Sequence, residues 1–151
     1  MGERNVHMVV EILLVEDDPA DVLVTREAFS DNRVRNRLHV VGDGEKAMRF
    51  LRQTGEYAEA PRPGLILMDL NLPRRNGLEV LADLKADSKL ASIPVVMLTT
   101  SRAEDDIVRS YSLHASAYIA KPVDFERFTE VIRQIDDFYL TLALLPNTSP
   151  G

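Results

Sequence analysis

Three consecutive acidic residues, Glu16, Asp17 and Asp18, follow an apolar run in the stretch LLVEDDPAD. Carboxylates crowded at the end of a strand repel one another, so ionising all of them is costly unless a positive charge lies nearby. A divalent cation would supply that charge, and carboxylates with backbone oxygens and water form the octahedral oxygen site that suits Mg²⁺. Because Pro19 comes next, we expect Asp18 to cap a helix rather than to bind metal.

Three further chemical groups stand where other apolar runs end. Asp69 follows LILM, Thr99 follows PVVML, and Lys121 follows AYIA. A cation, an ammonium and a hydroxyl around one carboxylate form a receptor for a phosphoryl group, whose transfer depends mostly on positioning and charge neutralisation. Asp69 would be the nucleophile and would form an acyl phosphate.

The apolar runs themselves predict the elements that position these groups. Each run is nearly continuous, as expected of strands buried on both faces of a parallel sheet. The runs are EILLV (11–15), LHVV (38–41), LILM (65–68), PVVML (94–98) and AYIA (117–120). Helical patterns alternate with them at 19–30, 44–52, 77–85, 102–113 and 124–142. This alternation predicts an α/β domain with a doubly wound, five-stranded parallel sheet flanked by five helices. In such a sheet the ligand site lies beyond the carboxyl ends of the strands, at the switch point in strand order.

Composition excludes several other classes of protein. The chain of 151 residues has the length of one ordinary domain. Its 18 basic and 24 acidic residues give a formal net charge of −6, which disfavours a nucleic-acid partner. No apolar stretch approaches the roughly 18 residues of a membrane span, and the first ten residues lack the apolar core of a signal peptide. There is no Cys, which fits a reducing compartment. We therefore expect a cytoplasmic protein with no membrane and no nucleic-acid partner.

Four motifs together resemble the receiver domains of two-component response regulators. They occur in the order of that family and are VEDD (15–18), LMDLNLP (67–73), LTTS (98–101) and YIAKP (118–122). The segments EYAEAPRPGLILMDLNLP and LHASAYIAKPVDFERFTEVIRQIDDFYLTLALLP are similar to single-domain regulators paired with bacterial and cyanobacterial phytochrome histidine kinases. The resemblance implies a flavodoxin-like receiver fold with strand order 2-1-3-4-5 and a sensor histidine kinase, of the bacteriophytochrome type, as partner. It also implies an N-terminal arm (1–10), a receiver domain with an extended last helix (11–145) and a C-terminal tail (146–151).

Carried over by position, the resemblance assigns the residues that take part in phosphorylation. Asp69 would be the phosphoacceptor, and Lys121 and Thr99 would complete the catalytic set. Thr99 would also follow the phosphoryl group by rotating its hydroxyl. Tyr118 would be the aromatic switch residue that changes rotamer, although an aromatic residue in a strand is by default part of the core.

The resemblance also implies a Mg²⁺ site. Its ligands would be Asp17 and Asp69 directly, Glu16 through water, and the backbone carbonyl of Asn71. Glu16 stands where Asp is more frequent in the family, which lengthens the reach to the metal. Asn71 and Ser101 occupy positions that tune dephosphorylation in the family, so the lifetime of the phosphorylated state stays open.

The end of the chain carries more apolar surface than one helix face needs. A helix that is apolar on more than one face needs a second partner. We expect a homodimer formed through this helix, as in the phytochrome-linked regulators that the sequence resembles. The expected interface residues are Phe138, Tyr139, Leu142 and Leu145.

Two alternative functions remain beside the signalling receiver. The first is a Mg²⁺-dependent phosphohydrolase with an aspartyl nucleophile, but such enzymes resemble D-x-D-x-T, and here Asn71 and Pro73 replace the second Asp and the Thr. The second is a dimerisation module without phosphorylation, which would be expected to lack Asp69 or Lys121. The favoured interpretation is a phosphoacceptor signalling domain that catalyses only its own phosphorylation and dephosphorylation, and is not an enzyme in the ordinary sense.

Overall fold

Five parallel strands form one sheet in the computed structural model, which describes residues 9–30, 36–100 and 115–132. The strands are β1 (Val10–Val15), β2 (Asn36–Val41), β3 (Leu65–Asp69), β4 (Val95–Thr99) and β5 (Ala117–Ala120). Their order across the sheet is β2-β1-β3-β4-β5, and every neighbouring pair is parallel. The predicted fold class and strand order are confirmed.

Within the described residues, four α-helices connect or follow the strands. They are α1 (Pro19–Phe29), α2 (Gly44–Arg52), α3 (Gly77–Ala86) and α4 (Phe125–Ile132), and a 3₁₀ turn at Gly55–Tyr57 lies between α2 and β3. The predicted helix at 102–113 lies outside the described residues. So do most of the N-terminal arm, the extension of the last helix beyond residue 132, and the tail.

Side-chain caps explain where the helices begin. The carboxylate of Asp18 accepts a hydrogen bond from the Ala20 amide at 2.9 Å, which confirms the predicted N-cap of α1. Asp43 accepts from the Lys46 amide at 2.8 Å and caps α2 in the same way. The capping box that opens α3, made by Asn76 with Glu79, was not predicted from the sequence.

The sheet separates two apolar layers because alternate residues of each strand point to opposite faces. The layer shared with α2 and α3 includes Leu13, Val15, Ile66, Met68, Val80, Leu81 and Leu84. The layer shared with α1 and α4 includes Ile12, Leu14, Leu67, Phe29 and Phe128. In the second layer, the rings of Phe29 and Phe128 pack edge to face with centroids 4.6 Å apart.

The central strands are more deeply buried than the edge strands. β3 and β4 are buried along their whole length and β1 nearly so, as predicted. β2 and β5 are largely only half-buried, so the prediction of burial on both faces is wrong for them. The reason is their position, since a strand at the edge of a sheet has a neighbour on one side only. No helix of the described residues is long and apolar enough to cross a membrane.

Candidate functional site

The carboxyl ends of β1 and β3 bring three carboxylates together. Glu16 and Asp17 directly follow β1, and Asp69 is the last residue of β3. These two strands are neighbours where the strand order reverses, which is where α/β sheets bind ligands. One carboxylate oxygen from each of the three residues lies within 4.8 Å of the others. Glu16 and Asp69 are buried, whereas Asp17 is exposed and opens this acidic cluster to solvent.

The ammonium of Lys121 lies against this cluster. Its Nζ is 2.9 Å from Glu16 Oε1, 3.2 Å from Asp69 Oδ2 and 2.9 Å from Asp21 Oδ2. The backbone amide of Lys121 donates to the Thr99 carbonyl at 2.8 Å, which fixes the chain just beyond β5. An ammonium has three donors, and here it donates hydrogen bonds to Glu16 and Asp21 and forms an ion pair with Asp69.

One oxygen of Asp69 is left without such a contact. Asp69 Oδ1 is buried and has no hydrogen-bond partner among the residues that the structure describes. A buried acceptor without a partner is costly, and a cation or a new covalent bond at this atom would remove that cost. Because three carboxylates form a hard oxygen donor set, the residues fit a divalent ion such as Mg²⁺ or Mn²⁺.

Burial and the charge of Lys121 have opposite effects on the pKa values of Glu16 and Asp69. Burial raises the pKa of Glu16 and the pKa of Asp69 above their usual values, although contacts with Lys121 oppose the shift. Burial by itself would lower the pKa of Lys121, but its hydrogen bonds to Glu16 and Asp21 outweigh that effect and raise the pKa. Lys121 therefore stays protonated and serves as the counter-ion of the buried carboxylates.

Three of the remaining predicted site residues, Thr99, Tyr118 and Asn71, lie within the described part of the chain. Thr99 is buried at the end of β4 and pairs in register with Ala120. Tyr118 is half-buried in β5 and packs against the apolar layer of α2 and α3, as a core aromatic would. Asn71 is exposed, two residues after Asp69. The following predicted residues lie outside the described residues: Ser101, Phe138, Tyr139, Leu142 and Leu145.

Two residues of the site were missed in the sequence. Asp21 contacts Lys121 from the first turn of α1, where an acidic residue is normally explained by the helix dipole. Gly77 begins α3 so close to β3 that an added Cβ would lie 2.4 Å from the Asp69 carbonyl oxygen. The sequence gives an indication only for Asp21, which is an acidic residue three positions after the cap Asp18. That position does not indicate that Lys121 is its partner.

Comparisons with known proteins identify the family of the chain. The family model of the response regulator receiver domain matches residues 12–133. The response regulator Rcp1 of Synechocystis sp. is 44% identical over 135 residues, covering 89% of this chain and 92% of Rcp1. A solved Mn²⁺-bound form of Rcp1 has a TM-score of 0.71 at 44% identity, covering 91% of this chain and 99% of that one.

Two other solved structures are similar over most of their length. The bacteriophytochrome response regulator RtBRR has a TM-score of 0.82 at 41% identity, covering 95% of this chain and 85% of its own. The phosphorylated cyanobacterial phytochrome response regulator RcpA has a TM-score of 0.74 at 46% identity, covering 93% and 100%. The resemblance found in the sequence is confirmed. The chain belongs to the response regulator receiver family and is a receiver domain of a two-component response regulator, close to the phytochrome response regulators.

Proposed function

We propose that Asp69 accepts a phosphoryl group from a sensor histidine kinase of the phytochrome type in a Mg²⁺-dependent reaction. One observation carries the assignment to Asp69. Its carboxylate is buried at the switch point, with Oδ2 3.2 Å from the Lys121 ammonium and Oδ1 without a partner among the described residues. Glu16 is also buried and contacts Lys121, but both of its carboxylate oxygens have partners, the Lys121 ammonium and the Asp18 amide.

The chain's own groups suit this transfer. A carboxylate oxygen of Asp69 forms the new O–P bond, while the P–N bond to the kinase histidine breaks and the imidazole keeps the electron pair and takes up a proton. Lys121, held 3.2 Å from Asp69, is placed to pair with an oxygen of the incoming phosphoryl group. Burial of Glu16 and Asp69 lowers the local dielectric, so the charge of Lys121 acts more strongly than it would in water.

The acidic cluster would hold the metal ion. Glu16, Asp17 and Asp69 supply carboxylate oxygens, and the Asn71 carbonyl is the proposed backbone ligand. When bound, Mg²⁺ supplies positive charge against the phosphoryl oxygens and against the repulsion between these acids. Exposure of Asp17 keeps the cluster open to solvent, as an ion that retains several waters requires.

The conformational effect of phosphorylation would be transmitted through β4 and β5. We assign the switch to Thr99 and Tyr118, with Thr99 turning its hydroxyl to the phosphoryl group and Tyr118 changing rotamer. In support, Thr99 ends β4 beside Asp69's strand, and its carbonyl accepts from the Lys121 amide. Tyr118 lies three residues before Lys121, in the strand next to β4, and is only half-buried.

The test is the intact mass of the protein after incubation with acetyl phosphate. With Mg²⁺ we expect a gain of one phosphoryl group, and with EDTA in place of Mg²⁺ we expect at least a tenfold lower yield, because the site then lacks a charge worth several kcal/mol. Adding Mg²⁺ back should restore the gain. Equal phosphorylation with and without the metal would contradict the assignment of the acidic cluster.

We also propose that the protein forms a homodimer through Phe138, Tyr139, Leu142 and Leu145. The support is the sequence pattern, in which the predicted helix carries apolar residues on more than one of its sides. Sedimentation equilibrium at tens of micromolar is expected to give twice the monomer mass, since dimerisation follows mass action. A monomer throughout that concentration range would contradict the dimer.

A further inference from the structure

The Lys121 ammonium is shared between the acidic cluster and a carboxylate outside it. Glu16 and Asp69 belong to the three acids whose oxygens lie within 4.8 Å of one another, and Asp21 does not. Yet Asp21 Oδ2 is as close to Nζ as Glu16 Oε1 is, at 2.9 Å. One hydrogen bond of the ammonium is therefore made to α1, outside the three-acid cluster.

A helix-dipole role alone does not account for this contact. An acid in the first turn of a helix is favourable wherever its side chain points. Asp21 instead pairs with a residue 100 positions away in the chain. The Lys121 side chain is only 10% exposed and that of Asp21 is 31% exposed, so this ion pair is screened less by water than an ordinary surface pair.

We propose that Asp21 is a positioning residue that draws Lys121 away from Glu16 and Asp69 and thereby favours metal binding at the acidic cluster. The inference rests on the proposed function, in which that cluster holds Mg²⁺. Lys121 and the ion both neutralise Glu16 and Asp69, so the two cations compete. Asp21 offers the ammonium an acceptor that is not a metal ligand, and this contact can persist when the cluster binds the ion.

The inference gives opposite signs for two substitutions. Asp21→Asn leaves the ammonium with only Glu16 and Asp69 as charged acceptors, so it should weaken Mg²⁺ binding about three- to tenfold. Lys121→Met removes the competing cation and should strengthen Mg²⁺ binding. In the double variant the effect of Asp21→Asn should largely vanish, because there is no ammonium left to draw away.

The experiment is a double-mutant cycle with Mg²⁺ alone, measured by isothermal titration calorimetry on the full chain. The four proteins are the wild type, Asp21→Asn, Lys121→Met and the double variant. Glu27→Gln serves as a matched control, since Glu27 is an exposed acid on the same helix α1 and loses the same charge. Circular dichroism verifies folding, and Lys121→Gln replaces Lys121→Met if that variant is not folded.

A loss of affinity on Asp21→Asn that disappears in the Lys121 variant would support the inference. The same loss in both backgrounds would overturn it, because Asp21 would then act on the ion only through its own charge. No change on Asp21→Asn would overturn it as well. A wild type that binds no Mg²⁺ would refute the proposed metal site itself, and an intact wild-type site with an additive cycle would refute only the role of Asp21.

Discussion

Asp69→Asn should abolish phosphorylation while the protein stays folded. The amide has nearly the same shape as the carboxylate, but it is neutral, a far weaker nucleophile, and cannot form the acyl phosphate. Burial raises the pKa of Asp69, which means that the fold disfavours its charged form. A neutral isostere is therefore expected to leave the thermal midpoint equal to or above that of the wild type, since Lys121 keeps Glu16 and Asp21 as partners.

The measurement is intact mass after incubation with acetyl phosphate and Mg²⁺, with thermal unfolding followed by circular dichroism. Asp18→Asn is a matched control, because it makes the same change in an acid at the same edge of the sheet. Asp18 caps α1, a role that Asn fills equally well. The control should gain a phosphoryl group as the wild type does. If Asp69→Asn were phosphorylated to the wild-type extent, another residue would have to be the acceptor.

The sequence was sufficient to predict that Asp17, Asp69 and Lys121 meet at this edge, although it did not predict Asp21. Parallel strands place their carboxyl ends together, so Asp17, Asp69 and Lys121 could be assigned to one site from the apolar runs alone. The order of the strands came from the resemblance, since periodicity does not determine it. The half-buried state of β2 was missed because LHVV has the same continuous apolar pattern as a central strand.

The sequence could not predict contacts that depend on the direction of a side chain. Nothing in the sequence pattern indicates that Lys121 forms an ion pair with a residue of α1. The position of Asp21 is already explained by the favourable interaction of an acidic residue with the dipole at the start of a helix. Gly77 was expected only as the first residue of a helix. Its closeness to the Asp69 carbonyl is a tertiary contact that follows from how α3 packs on β3.

Gly77→Ala should destabilise the protein by about 1–3 kcal/mol, the usual cost of overpacking. The new Cβ would lie 2.4 Å from the Asp69 carbonyl oxygen and 3.0 Å from Leu70 Cα, both of which are backbone atoms that cannot turn aside as a side chain can. The Gly77 amide also donates to the Leu70 carbonyl at 2.9 Å, so α3 cannot move away without straining this hydrogen bond. Chemical denaturation gives the free energy of unfolding.

Gly42→Ala is the matched control for this clash. Gly42 follows β2 at the same edge of the sheet, but an added Cβ there meets no atom within 4 Å. Its free energy of unfolding should stay within about 0.5 kcal/mol of the wild type. Since the displaced carbonyl belongs to Asp69, Gly77→Ala should also slow phosphorylation by acetyl phosphate, and Gly42→Ala should not. Equal stability and equal phosphorylation of the two variants would mean that α3 does not hold the end of β3, and the position of Asp69 would then depend on Lys121 and the strand contacts alone.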